Sequence, residues 1–382
     1  MALQFQRNAD VYIELMDTAR AGVTETWKVP VLEGFSFSQA VNSSEITVNE
    51  AGETSRRARL LFNDSLAPAE WSFSTYVRPI SDDGTVVAPE MALWAMLMGA
   101  KDYTPNASPD QGGGTYINDT FSPQSTNTAA ASTNTFGFGT SNLSAMPDNW
   151  NVVFAFEDGT NKQYFRLNKA VVNSASIDFD IDGIATVSWS GFAADLEDAS
   201  QLSPNVPANL AGAITTGTTG SDNFIRNRIS TVSLNRTDAS PNDAYSIVLT
   251  GGSFSVENNI TFLTPEELGN VNTPLANITG ARTITGSLNC YFDNDQANSK
   301  SGELFADLVA DTSTIRNVFD MAVNVGGETA STPRIALDLP TAHLEIPVIN
   351  VEDLLTLEVT FHGQVANGDV DSTNEATIIY KA

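Results

Sequence analysis

Residues 55–79 read Ser55-RRARLLFNDSLAPAEWSFSTYVR-Pro79, and the second half of this stretch decides the fold class. Trp71, Phe73, Thr75 and Val77 alternate with Ser72, Ser74, Tyr76 and Arg78, and Glu70 precedes them. A period of two with large apolar groups on one side is the pattern of a half-buried antiparallel strand. The spacing predicts two strands, 58–63 and 71–77, joined by a turn over Asp64–Pro68.

Working outward, strands are predicted at Val11–Leu15 and from Trp27 to Val41, with Glu45–Val48 as one side of an arm whose tip is Asn49–Gly52. Glu90–Ala100 reads as a helix, with Pro89 before it and Gly99 at its end. Residues 101–149 are rich in Ser, Thr, Asn and Gly and read as an insertion in a surface connection, an outward-facing decoration. Strands resume at Trp150–Glu157 and Gln163–Leu167. A hairpin, Ser176–Asp182 with Ile184–Phe192, turns at Asp182-Gly183.

After a Pro- and Thr/Gly-rich connection the order of parts repeats. Gly252–Val256 (GSFSV) echoes Gly34–Ser38 (GFSFS), Ile260–Arg282 is a second arm, and Thr283–Phe292 matches Trp71–Val77. Gly302–Ala310 is a second helix, and Val318–Val325, Arg334–Leu339, His343–Ile349 and Leu354–His362 are strands. The expected class is mainly β: two tandem antiparallel β-sandwich or barrel domains, residues 1–205 (carrying the insertion) and 206–382, each flanked by one α-helix.

Composition narrows the chemistry. The net charge is −27, with 25 acidic and 11 basic residues in the first 200 positions and 21 and 8 thereafter. Acidity is thus built into both halves and argues against binding nucleic-acid phosphates. Cys290 is the single cysteine, so no intrachain disulfide or thiolate metal cluster is expected, which suits a reducing compartment. The first residues carry no basic-then-apolar signal pattern, and the run Met91–Met98 is too short to span a bilayer. His343 and His362 sit in predicted strands, no nucleophile, phosphate-loop or zinc motif occurs, and no cofactor is expected. Asp178, Asp180 and Asp182 begin like a calcium loop, but position twelve is Trp189 where a bidentate Glu is needed. A structural or binding role therefore outweighs an enzymatic one.

The segments QFQRNADVYIEL, FSFSQAVNSSEITVNEAG, the 55–79 stretch, PEMALWAMLMGA and ITFLTPEELGNVNTPLANITGARTITGSLNCYF together resemble the tail tube (major tail) proteins of long-tailed bacteriophages. The resemblance implies a non-enzymatic virion protein, assembled in the host bacterial cytoplasm, whose rings stack into a hollow tube that delivers DNA. Two tandem domains imply a homotrimeric ring of pseudo-sixfold symmetry. Tape measure, tail terminator and baseplate proteins are the implied partners; DNA passes without specific binding and no membrane is involved. By alternation, Asp178, Asp180, Asp182, Asp338 and Glu358 are the expected lumen-facing acids. Glu45, Glu50, Arg56, Arg57, Arg59, Glu266, Glu267 and Arg282, on the two arms, are the expected contacts between subunits or rings. The alternative is a secreted or surface β-sandwich adhesin that binds carbohydrate.

Overall fold

The computed structural model describes residues 9–17, 23–47, 59–82, 85–100, 102–104, 120–122, 125–129, 134–138, 143–158, 161–201, 223–238, 244–269, 271–294, 300–310, 317–327, 333–351, 353–365 and 374–381. The first half of the chain runs β1 (Ala9–Asp17), β2 (Val23–Val29), β3 (Ser36–Thr47), β4 (Arg59–Tyr76), β5 (Ile80–Asp82), β6 (Thr85–Val87) and α1 (Met91–Leu97). Within the 101–149 segment come β7 (Asp102–Thr104), β8 (Thr120–Ser122), β9 (Ser125–Ala129) and β10 (Asn134–Phe138). Then follow β11 (Trp150–Asp158), β12 (Asn161–Asn168), β13 (Val171–Asp180), β14 (Thr186–Ala193) and β15 (Asp195–Asp198). The second half runs β16 (Thr231–Arg236), β17 (Ala244–Tyr245), β18 (Leu249–Glu257), β19 (Ile260–Leu263), β20 (Ala276–Thr279), β21 (Thr283–Tyr291) and α2 (Ser301–Ala310). It closes with β22 (Phe319–Val325), β23 (Arg334–Leu344), β24 (Val348–Val351), β25 (Leu355–Gly363) and β26 (Thr377–Lys381).

Both halves follow one plan. In the first, β2-β1-β11-β12-β15 form an outer sheet and β3-β4-β14-β13 an inner one. In the second, β17-β16-β22-β23-β26 take the outer positions and β18-β21-β25-β24 the inner ones. Strand 13 pairs with strand 18 from Ser174↔Glu257 to Asp180↔Gly251, so the two inner sets are one continuous sheet. The end of β23 joins it as well: Ala342–Leu344 and then β24 lie along β25. The prediction of separate sheets ran together here because inner strands of the two halves pair as neighbours. The boundary at 205/206 lies outside the described residues.

The 55–79 stretch departs from its reading. Residues 59–76 are one continuous strand, with no turn over Asp64–Pro68. Pro68, which has no N–H to give, is accommodated because β3 shifts register between Gln39 and Val41 opposite it, and Gln39 Nε2 donates to the Ala67 carbonyl at 2.9 Å. The run predicted from Trp27 to Val41 is broken between β2 and β3, where Gly34 adopts φ +98°. The Ser176–Asp182 strand ends at Asp180, leaving Ile181 and Asp182 exposed in the turn. Strands 15, 16 and 26 were not anticipated.

Trp71, Phe73, Thr75 and Val77 are buried as expected, and so are Val187, Trp189, Ile177, Phe254, Leu288, Val359 and Phe361 on the same face of the inner sheet. One apolar core runs beneath both halves. The two helices occupy it differently. Every residue of α1 is buried, consistent with a segment that has no charged side chain; α2 buries Leu304 and Leu308 and leaves Val309 exposed. Trp94 of α1 meets Trp189 edge-on at 4.7 Å, and its Nε1–H donates to Tyr380 Oη at 2.7 Å. Tyr380 in turn donates to Glu90 Oε1 at 2.5 Å. Burial pushes the Glu90 carboxyl up to about 7 against the opposing effect of that hydrogen bond.

Part of the 101–149 segment is not decoration. Strand 10 pairs with the C-terminal β26, and Phe136 and Phe138 lie in the core. Its alternation, Thr135-Phe136-Gly137-Phe138, is too short to stand out from the polar sequence around it, and only the partner strand makes it visible.

Candidate assembly surfaces

The face of the inner sheet turned away from the core is paved with hydroxyls. Ser74, Ser188, Ser176, Ser255, Thr285 and His362 lie in register across six strands. A row to one side holds Ser36, Ser72, Ser190, Ser174, Glu257 and Thr283. The row to the other holds Tyr76, Thr186, Asp178, Ser253, Ser287 and Thr360. Neighbours hydrogen-bond along the rows: Ser36 with Ser72 at 2.9 Å, Ser74 with Ser188 at 3.2 Å, Ser174 with Ser190 at 2.7 Å, Ser255 with Thr285 at 3.3 Å. Cross-strand hydroxyl pairs of this kind stabilise a sheet by ~0.2–1 kcal/mol each, and they satisfy one another without recruiting a ligand.

Three of the five candidate acids belong to this face. Asp178 and Asp180 stand on β13, and Glu358 is opposite Asn289 on β21 and Val348 on β24. Asp182 is in the β13–β14 turn at the edge of the face. Asp338 is elsewhere: it sits in the outer layer on β23, between Ala322 and Thr377. Burial and the nearby Asp320 raise its carboxyl above the usual range, with Lys381 opposing. No basic Lys or Arg stands in the three hydroxyl rows. Burial also pushes the Cys290 thiol up to about 11, as suits a core residue. Among the described residues, no group of three His, Cys, Asp or Glu side chains is placed to hold a metal, and no helix is long and apolar enough to cross a membrane.

Among the described residues, β3 is open on one side of the inner set, and β24 is open beside β25, where Ile346, Val348, Ile349 and Val351 are all exposed, Val351 at 77 %. This edge was missed in the sequence, which reads 343–349 as one strand of ordinary alternation. Its signal was the run Ile346-Pro-Val-Ile-Asn-Val351, apolar on both alternating faces.

Two arms leave the same end of the sheet. The outer part of the β3–β4 hairpin exposes Val41, Ile46, Leu60, Leu61 and Phe62. Arg59 there pairs with Glu45 across the hairpin, Nε to Oε1, at 3.1 Å. Glu50, Arg56 and Arg57 lie outside the described residues. The β19–β20 arm is anchored at its base by Asn277, whose Nδ2 donates to the Met146 carbonyl at 3.1 Å and whose Oδ1 accepts from the Met146 N–H at 2.6 Å. It rests on the first arm where Leu66 N–H donates to Asn272 O at 2.8 Å and Asn272 N–H to Asp64 O at 3.2 Å. Glu266 and Glu267 stand exposed at its tip. Arg282 turns inward, pairing with Glu375 at 2.7 Å over the Phe138 ring.

A hydroxyl-lined sheet face, sheet edges open among the described residues and exposed apolar arms are features of a building block. Comparison with known proteins agrees. Residues 70–363 match the phage tail tube protein family. The chain is also 31% identical over 381 residues to tail tube protein pb6 of Escherichia phage T5, covering 98% of this chain and 75% of that one. This chain belongs to the phage tail tube protein family. It is a structural component of the virion tail, and neither comparison supports the adhesin reading. The match to the phage tail tube family runs from Glu70 in β4 to Gly363 in β25, so it takes in the end of the 55–79 stretch and the whole second arm and leaves out β3.

Proposed function

We propose that the chain closes into a homotrimeric ring of two-domain subunits, and that rings stack into the tube through which DNA travels, with no enzymatic step. The observation that carries this reading is the open edge at β24. Strand 13 ends the first inner set and pairs with β18, which begins the second; β24 ends the second set in the same position of the plan and, among the described residues, has only β25 beside it. An exposed apolar edge strand is a template for pairing with another chain, and the topological equivalent of β18 is β3. Pairing β24 of one copy with β3 of the next repeats the internal junction, a heterologous contact that closes by rotation. Each copy then supplies two equivalent units to the ring, which supports pseudo-sixfold symmetry from three chains. The hydroxyl face becomes the lumen, with Asp178, Asp180 and Glu358 repelling DNA phosphates and no cation to hold them. Tape measure, terminator and baseplate proteins would meet the tube along its lumen and at its ends.

Substituting Val351→Glu and Ile349→Pro on the β24 edge tests the reading. Native mass spectrometry of the wild type is expected to show multiples of three chains, and the variants to remain monomeric with an unchanged melting temperature. Rings of six copies, or variants that assemble like the wild type, would refute it.

A further inference from the structure

The tip of the second arm is tied to the first arm through Asn272 and presents an exposed leucine. Glu267 N–H donates to Asn272 Oδ1 at 3.1 Å, Gly269 turns the chain with φ +96°, and Asn272 is fixed to the first arm. Leu268, framed by this turn, is fully exposed. Covering this side chain against another copy would remove its apolar surface from water.

The opposite end of the same sheet offers a receiver. Strand 18 runs from Leu249 to Glu257 and leads on into the arm, so Leu249–Gly251 mark the far end. There, a cleft of about 210 Å³ opens between the two halves, walled by Phe179, Asp180, Ile181, Asn227 and Leu249. Asn227 is 6 % exposed and its Oδ1 has no hydrogen-bond partner among the described residues. A buried acceptor without a donor is unfavourable, and it lies in the wall of this cleft. Beside the cleft stand Arg226 and Arg228, both exposed, in a chain that carries 46 acids and 19 basic residues.

We propose that Leu268 of one copy seats in the Asn227 cleft of a copy in the adjacent ring, with Glu266 and Glu267 against Arg226 and Arg228. The inference rests on the stacked-ring reading and names the contact that sets the stacking. The arm and the cleft lie at opposite ends of one sheet, so identical copies stacked in one direction bring them together, and because the two surfaces differ the contact propagates without closing. The plug contributes apolar burial, and the charges select the partner and speed the encounter.

The test follows polymerisation of the full chain by light scattering and electron microscopy, with analytical ultracentrifugation to detect single rings. Leu268→Asp and Arg228→Glu are each expected to form rings of wild-type size whose stacking requires at least tenfold more protein. Glu267→Arg combined with Arg228→Glu is expected to restore stacking. In a second measurement, Leu268→Cys with Ile229→Cys should give a ladder of covalently linked chains on oxidation of assembled tubes. Wild-type stacking by Leu268→Asp, or no ladder, overturns the plug, and failure of the reversed pair to recover overturns the charge pairing. A wild type that forms no rings at all would instead count against the ring reading beneath it.

Discussion

The two halves of the inner sheet share a strand plan but fill it with opposite side chains. In the first half Trp71 on β4 lies over Gly191 on β14; in the second, Gly286 on β21 lies beneath Phe361 on β25. Aromatic and glycine have exchanged strands at the same pairing. A Cβ on Gly191 would stand 2.5 Å from Trp71 Cζ2 and 2.1 Å from the Val171 carbonyl, and one on Gly286 2.3 Å from Phe361 Cζ and 2.2 Å from the Ser253 carbonyl. What the plan preserves is the summed volume of the pair, because close-packed interiors respond to volume before identity. Low sequence identity between the halves is therefore compatible with a repeated fold.

The strongest way to break this equivalence is to fill both positions. Gly191→Val and Gly286→Val should each lower stability by more than ~3 kcal/mol, since overpacking here meets backbone as well as ring. Chemical denaturation of the two variants should give midpoints reduced to a similar extent; a silent Gly286→Val would show that the halves are packed on different rules.

The helix starts sharpen the contrast. At α2, Ser301 Oγ donates to the Tyr291 carbonyl and accepts from Asp293 N–H, a neutral arrangement. At α1 the residue just before the helix is the buried Glu90, whose carboxyl burial raises from 4.5 to about 7. A carboxyl with a raised folded-state pKa favours the folded chain fully below pH 4.5, and that advantage is lost as pH rises through 7. The loss amounts to about 3 kcal/mol, from ~1.4 kcal/mol per pKa unit. Glu90→Gln keeps an acceptor for Tyr380 without the charge. Its melting temperature should match the wild type near pH 4 and exceed it increasingly up to pH 8; a constant difference across that range would remove Glu90 as the cause.

The arms give the smallest expected effects. Asn277→Ala leaves the Met146 amide without its partner and should cost ~1–3 kcal/mol and raise hydrogen exchange in β19 and β20. Arg59→Ala on the longer arm breaks a pair whose arginine side chain is 71 % exposed, a change of ~0–1 kcal/mol. A large loss of monomer stability on removing Arg59 would mean that the first arm is fastened more tightly than its exposure indicates.

The strand alternation of 71–77 and the two helices were legible in the sequence because each depends on local periodicity. The apolar edge at β24 was not, since an exposed edge and a buried strand can carry the same residues, and only neighbouring strands distinguish them. Of the five acids expected by alternation to share a face, Asp178, Asp180 and Glu358 stand on the same side of the inner sheet. Alternation could not place Asp338, because β23 passes from the outer layer to the inner one along its length.

By itself the sequence determined a β-rich, acidic chain, since period and charge are properties of the chain alone. Tertiary structure decided that 59–76 is one strand, because β3 bulges around Pro68. It brought Phe136 from a polar segment into the core beside the C-terminal strand. Finally it joined the two halves through β13 and β18, because antiparallel pairing depends on which edges meet in space, and neither edge names its partner in the sequence.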